Sequence, residues 1–324
     1  MKSATLSNPA ATSGHSQMIG RILLLAVVSI MLIAPLAVYP LFLIKILCFV
    51  LLAAAFNLVL GYAGLLSFGH AAFFGGGAYI AAHAAKVWQW PFELSVLAGT
   101  VFATLLGLAF GALAIRRHGI YFAMITLALA QMVYFMAVQM PFTGGEDGIQ
   151  AVPRGYLLGV IDLTNINAMY YTVLGGTMIG LVIVWRAVNS PFGHTLSAIR
   201  ENETRVISLG LKPERYKLIA FTLSAALSGF AGSLKAIAFQ LASLVDVTWH
   251  MSGEVILMTL LGGMGTLIGP IVGTTIVVGL EHFLSTSGLP ITFIIGLFFV
   301  VCVMMFKRGV FGELKLLLER QKGE

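Results

Sequence analysis

Nine apolar stretches, most of them near twenty residues long, decide what this chain can fold into. They cover residues 22–39, 41–60, 65–84, 94–115, 120–140, 169–188, 218–240, 254–283 and 291–306. A helix rises 1.5 Å per residue, so about 20 apolar residues span the hydrocarbon of a bilayer. The composition agrees. Hydrophobic residues make up 59 % of the chain and charged residues 10 %, against roughly 25 % charged in a soluble domain. Mean hydropathy is +0.96. A soluble surface needs charge that this chain does not have, which excludes a soluble enzyme, a nucleic-acid-binding module and a disordered chain. The sequence predicts an all-α polytopic membrane protein, and the net charge of +6 reads as loop charge that orients it.

Charge also sets the number of crossings. The run 254–283 is too long for one span and is interrupted by Gly262, Gly263, Gly265, Gly269 and Pro270. Crossing twice, as two short helices turning near Gly265, makes ten spans with both termini inside. Fifteen of the nineteen Lys and Arg residues then fall in inside segments, as the positive-inside rule requires. The outside segments keep Lys86 and Arg154 and hold Glu93, Glu146, Asp147, Asp162, Asp246 and Glu254. Either short helix can instead be re-entrant, where protein or water covers it. The expected organisation is a solvated tail over 1–21, a transmembrane domain over 22–306 with an uncleaved first span, and a second tail over 307–324. Lys45, Lys235, Glu281 and His282 lie near outer helix ends and read as snorkelling side chains, with a substrate or ion ligand as the alternative. Cys48 and Cys302 read as packing residues. No acid falls firmly at mid-membrane, which argues against an ion-coupled carrier.

Two glycine clusters stand out. Gly61, Gly64, Gly69 and Gly75 to Gly77 surround Ser67, Phe68, His70 and Phe73, and Gly262, Gly263 and Gly265 precede Gly269 and Pro270. They occupy the third helix of each five-span half. An odd number of spans per half gives inverted halves, in which matched broken segments point to the transport site. Ser67, Phe68, Gly69, His70 and Phe73, opposite Gly262, Gly263 and Gly265, are therefore the candidate substrate path. The simpler reading of His70 is a packed, hydrogen-bonded core histidine. No phosphate-cradling G-x-x-x-x-G-K-[ST], metalloprotease HExxH, CxxC or GxSxG is present in the sequence, so neither catalytic residues nor a cofactor or metal site are expected.

The inside segment 187–217 is the longest polar stretch between spans. Residues 195–200 suit a helical turn, Asn202 can cap a second short helix, Gly210 can end it in the left-handed conformation, and Pro213 fits a first turn. Val206 and Leu209 are expected on one apolar face, with Glu203 and Arg205 turned outward. Such a surface can dock in a groove of another protein.

Four stretches, over 57–80 (NLVLGYAGLLSFGHAAFFGGGAYI), 144–149 (GGEDGI), 198–232 and 260–273 (LLGGMGTLIGPIVG), resemble the LivM-type permease subunits of branched-chain amino-acid ABC importers. The likeness implies a second, LivH-type permease, two cytoplasmic ATP-binding subunits, a periplasmic substrate-binding protein, and a place in the inner membrane. It also admits urea, short amides or small carboxylates as substrates. It assigns ATPase coupling to Arg200, Glu201, Asn202, Glu203, Arg205, Val206, Leu209 and Gly210. Glu203-Thr204-Arg205 stands where that segment of the family has an acidic-Ala-Ala core, and Gly210 is kept. The net-acidic outside loop with Gly144, Gly145, Glu146, Asp147 and Gly148 becomes the expected contact for the binding protein.

Overall fold

The computed structural model describes residues 34–36 and 38–285, with isolated positions 31, 294, 296, 297, 300 and 304. Both tails, most of the 22–39 run, Cys302 and most of the last run lie outside the described residues.

The helices are α1 (Pro40–Asn57), α2 (His70–Lys86), α3 (Phe92–Ala114), α4 (Ile120–Gln139), α5 (Ile166–Val188), α6 (Pro191–Glu201), α7 (Glu203–Ser208), α8 (Pro213–Phe239), α9 (Trp249–Gly262) and α10 (Gly269–Ser285). Local chemistry sets their ends. Pro40, Pro191 and Pro213 each occupy a first turn, where a missing N–H costs nothing. Asn165 and Asn202 accept the Asn167 and Arg205 backbone N–H groups, each at 3.0 Å, satisfying donors that the first turn leaves free. Helix α1 runs on into a π-helical turn over Leu58–Tyr62.

Among the described residues, five apolar helices reach spanning length: Pro40–Tyr62, α3, α4, α5 and α8. Helices α2, α9 and α10 are shorter, at 17, 14 and 17 residues. The third run does not begin its helix at residue 65; helix starts at His70. The run 254–283 does form two helices turning near Gly265, though its first helix begins at Trp249.

Helix α8 is the hub, packed against α1, α2 and α3. Missing side chains permit this. A Cβ on Gly77 would lie 2.8 Å from the Gly229 Cα, and one on Gly232 would lie 1.9 Å from the Phe74 carbonyl oxygen. Without a hydrophobic drive in lipid, such backbone approach is what holds membrane helices together. The outward faces of α3, α4 and α5 expose Leu97, Leu105, Met124, Phe135, Ile179 and Val182, as expected of surface in contact with lipid.

One end of the bundle is basic, carrying Arg116, Arg117, Arg186 and the α6–α7 segment. The opposite end carries the acidic loop 140–165. There strand β1 (Ile149–Gln150) pairs with β4 (Leu241–Ala242), and β2 (Tyr156–Leu157) with β3 (Ile161–Asp162), both antiparallel.

Candidate functional site

At the basic end two helix breaks face each other. The chain leaves its helix after Tyr62 and re-enters at His70, with Gly64 at φ +71°. Between α9 and α10 it breaks again, with Gly263 at +115° and Gly265 at +75°, torsions that a side chain resists. Asn57, 1 % exposed, joins the breaks. Its Oδ1 accepts the Gly265 N–H at 3.0 Å and its Nδ2 donates to the Thr266 carbonyl at 2.8 Å. The approach is tight enough that a Cβ on Gly61 would lie 2.6 Å from the Gly265 nitrogen.

Unwound backbone at membrane depth must find partners within the protein, and hydroxyls supply them. Thr126 Oγ1 accepts the Phe68 N–H at 3.1 Å, Ser67 Oγ the Gly69 N–H at 3.1 Å, and Ser252 Oγ the Ala71 N–H at 3.0 Å. Ser252 in turn donates to the Phe68 carbonyl at 2.8 Å. These bonds explain why helix begins late.

The candidate path residues divide. Phe68 and Gly265 are half-buried; Ser67, Gly69, Gly262 and Gly263 are buried. His70 and Phe73 are fully enclosed with Phe56 and Phe221, the His70 ring centroid 4.8 Å from Phe56 and 5.9 Å from Phe221. The Ser224 hydroxyl donates to the Ala55 carbonyl at 2.5 Å, so it accepts from His70 Nε2 at 2.9 Å. A cavity of about 470 Å³ opens beside the first break, lined by Gly64, Leu66, Phe68, Ile120, Phe122 and Met124.

The α6–α7 segment touches both breaks through Arg200. Its guanidinium donates to the Gly61 carbonyl. Built Cβ atoms on Gly64 and Gly265 would lie 3.0 Å from Arg200 Cγ and 3.5 Å from Arg200 Nη1. Asn202 caps α7 and Gly210 ends that segment at φ +80°, as expected. Glu201, Asn202, Arg205 and Gly210 are exposed. Two expectations need correcting. Val206 and Leu209 do not share a face: Val206 is 3 % exposed and packed on the bundle, whereas Leu209 is 73 % exposed. Glu203 does not turn outward; its carboxylate takes the buried Lys217 ammonium at 2.7 and 2.8 Å. Ile207 and Leu211 are exposed instead; Leu209 falls past Ser208, where the helix ends, so it does not follow Val206 onto the bundle.

At the acidic end, Gly144, Gly145 and Gly148 have φ of +78°, +61° and +68° and turn Glu146 and Asp147 into solvent. The Thr164 backbone and side chain hold the nearby Asp162 carboxyl below the ordinary carboxylate range, so this loop stays anionic.

Lys45 and Lys235 do not snorkel. Lys45 pairs with Glu281 at 2.9 Å, and Lys235 pairs with Asp246. Asn57, Thr126 and Ser252 escaped the sequence reading. Asn57 and Thr126 show in the sequence only as lone polar side chains inside apolar runs, and Ser252 only as a serine in the stretch between two runs.

Broken helices pinned by buried hydroxyls and an amide, with a basic loop seated on both breaks, define a multi-pass membrane protein of the transport-permease class. The family profile described as branched-chain amino acid transport system / permease component matches residues 39–307, and the chain belongs to that family. The high-affinity branched-chain amino acid transport system permease protein LivM is 29 % identical over 253 residues in Escherichia coli K12 and 31 % over 254 in Salmonella typhimurium. Each alignment covers 71 % of this chain and 60 % of the relative, so this chain spans about 60 % of the length of the relatives it matches. The ribose import permease RbsC of Bacillus subtilis is 27 % identical over 215 residues, 60 % of this chain and 58 % of that protein. No solved structure matches the chain.

Proposed function

We propose that this chain is the LivM-type permease subunit of a binding-protein-dependent ABC importer that moves branched-chain amino acids across the inner membrane. A LivH-type permease completes the path, two cytoplasmic subunits hydrolyse ATP, and a periplasmic protein delivers substrate to the loop around Glu146 and Asp147. The basic end faces the cytoplasm, in a ten-span topology with both termini inside and the glycine breaks as the third helices of inverted halves.

The observation that carries this reading is Arg200. A chain without a nucleotide-binding motif must be moved by a partner, and Arg200 ties the segment a partner would grip to both helix breaks. Arg200, Glu201, Asn202, Arg205, Leu209 and Gly210 form the contact, backed by Glu203 and Val206, which fix the segment to the bundle. The breaks around Ser67, Phe68, Gly69, Gly262, Gly263 and Gly265 are then the cytoplasmic gate, with the His70–Phe73 cluster as its rigid wall.

The test is co-purification with ATP-binding subunits, followed by binding-protein-dependent uptake of labelled leucine, isoleucine, valine, urea, a short amide, a small carboxylate and ribose. Uptake of the branched-chain amino acids that requires ATP hydrolysis is expected. Uptake that survives loss of the ATP-binding subunits but is abolished by an uncoupler would make this chain a secondary carrier. Uptake confined to another member of the panel would reassign the substrate.

A further inference from the structure

The last turn of α2 carries two side chains that reach away from their own helix. His83 and Lys86 are three residues apart, on one face of that turn. His83 Nδ1 donates to the Phe142 carbonyl at 3.1 Å, since a carbonyl only accepts. The imidazole also stacks on the Phe142 ring, 3.7 Å between centroids at an interplanar angle of 22°, and Trp88 meets it edge-on at 5.3 Å. Lys86 Nζ donates to the Gln150 carbonyl at 2.7 Å.

A His and a Lys at this place have one general reason, because cations stabilise the negative end of a helix. That accounts for their charge and not for their partners. Phe142 precedes the glycine turn 144–148 and Gln150 follows it, so the two contacts straddle the turn. The turn itself is stiff. A Cβ on Gly144 would lie 2.3 Å from the Gly148 carbonyl oxygen, and one on Gly148 would lie 2.3 Å from that of Ala242. Pairing of β1 with β4 fixes the far flank. The near flank, Pro141–Thr143, has less to hold it. Apart from His83, its hydrogen bonds among the described residues stay within 137–144.

A loop tied on one side swings about that side, and a partner that binds it must first stop the swing, which costs affinity. Tied on both sides, the loop presents its exposed Glu146 and Asp147 in one place. We propose that His83 and Lys86 are positioning residues for the docking of the binding protein, clamping the two flanks of the glycine turn to α2. The proposal rests on the reading above in which this loop receives that partner, and it adds what holds the loop ready. Helix α2 begins at His70, beside the first break, so the docking loop is set by the same helix that borders the gate.

The experiment titrates leucine-loaded binding protein against the full importer reconstituted in liposomes and follows labelled leucine uptake. His83→Ala and Lys86→Met should each raise the concentration of binding protein at half-maximal uptake by roughly 2- to 12-fold, the worth of one hydrogen bond. The maximal rate should stay close to that of the wild type. A defect of folding or assembly does the reverse, lowering the maximal rate at an unchanged half-saturating concentration. For Lys86→Met the direction is diagnostic. Removing a cation beside Glu146 and Asp147 makes the surface more acidic, which acts on a partner's charge in the opposite sense to their replacement by lysine. Weaker binding in Lys86→Met as well as in the Glu146→Lys, Asp147→Lys double variant therefore reports the lost clamp. His83→Asn, whose Nδ2 can stand in for the imidazole Nδ1, should recover part of the affinity lost in His83→Ala.

An unchanged half-saturating concentration in either His83→Ala or Lys86→Met, with the Glu146→Lys, Asp147→Lys variant weakened, overturns the clamp and leaves the docking loop standing. Normal docking by all three variants overturns the loop as the docking surface, and the clamp with it. A wild-type complex that moves no leucine at any concentration of binding protein overturns the functional reading itself.

Discussion

Asn57 and Gly265, 208 residues apart, are joined by a hydrogen bond of 3.0 Å from the Gly265 N–H to the Asn57 carboxamide oxygen. The amide nitrogen closes the pair by donating to the Thr266 carbonyl at 2.8 Å. One buried side chain thus satisfies both a donor and an acceptor of the opposite break. Asn57→Leu leaves both backbone groups without their partner, a cost of about 1–3 kcal/mol. The detergent-solubilised protein should unfold at a lower temperature and uptake should fall. Wild-type stability in that variant would mean that the two breaks are held by other contacts.

Gly61 is the closest point between the breaks. A Cβ there would lie 2.2 Å from Asn57 Oδ1 and 2.6 Å from the Gly265 nitrogen. Because the second atom is backbone, repacking side chains does not relieve the clash. Gly61→Ala should destabilise by roughly 1–3 kcal/mol, the usual cost of overpacking. Gly279, whose Cβ would meet no atom within 4 Å, is the control: Gly279→Ala should be neutral or slightly stabilising. Thermal unfolding of the two variants side by side decides the matter.

Arg200 should separate ATP hydrolysis from transport. Arg200→Ala removes the donor to the Gly61 carbonyl while leaving the exposed surface of α7 unchanged. Basal ATPase activity of the reconstituted complex should persist, whereas its stimulation by loaded binding protein and uptake should fall together. Arg200→Lys should be intermediate, because an ammonium lacks the planar fork that lets a guanidinium lie across both turns. Full stimulation in Arg200→Ala would reduce the residue to a surface contact.

Lys217 is 4 % exposed and depends on Glu203, which is 28 % exposed. Removing one partner strands a buried charge. Glu203→Gln should cost on the order of 2 kcal/mol, below the 3–5 kcal/mol of a fully buried pair because water reaches Glu203. Lys217→Met combined with Glu203→Gln should recover most of that stability. A double variant no more stable than Glu203→Gln alone would show that the pair is not what holds α7 to α8.

Outside the bundle, the Glu146→Lys, Asp147→Lys double variant should weaken binding-protein affinity, and more so at low ionic strength, since exposed charges act mainly through long-range attraction. Membrane assembly should be unaffected, as both side chains face solvent. Affinity unchanged at every salt concentration would make this loop a connector.

Much of the design was legible in the residues. Runs of some twenty apolar residues dictate membrane helices, because nothing else satisfies a backbone in hydrocarbon. Asn202, Gly210 and Pro213 announced the boundaries of the inside segment through local capping chemistry, and the glycines at 263 and 265 announced a turn. These features act over a few residues and are written in sequence order. What tertiary structure decided was partnership. Helix begins at His70 rather than near residue 65 because Thr126 and Ser252, 58 and 181 residues away from the groups whose N–H they accept, make the unwound backbone affordable. Val206 turned inward and Glu203 took Lys217 because α8 lies beneath α7, which no periodicity over six residues encodes. Lys45 and Lys235 found acids instead of the interface because Glu281 and Asp246 come to the same end of the bundle. A polar group in a bilayer takes whichever partner the fold brings within 3 Å, and that distance exists only once the helices have packed.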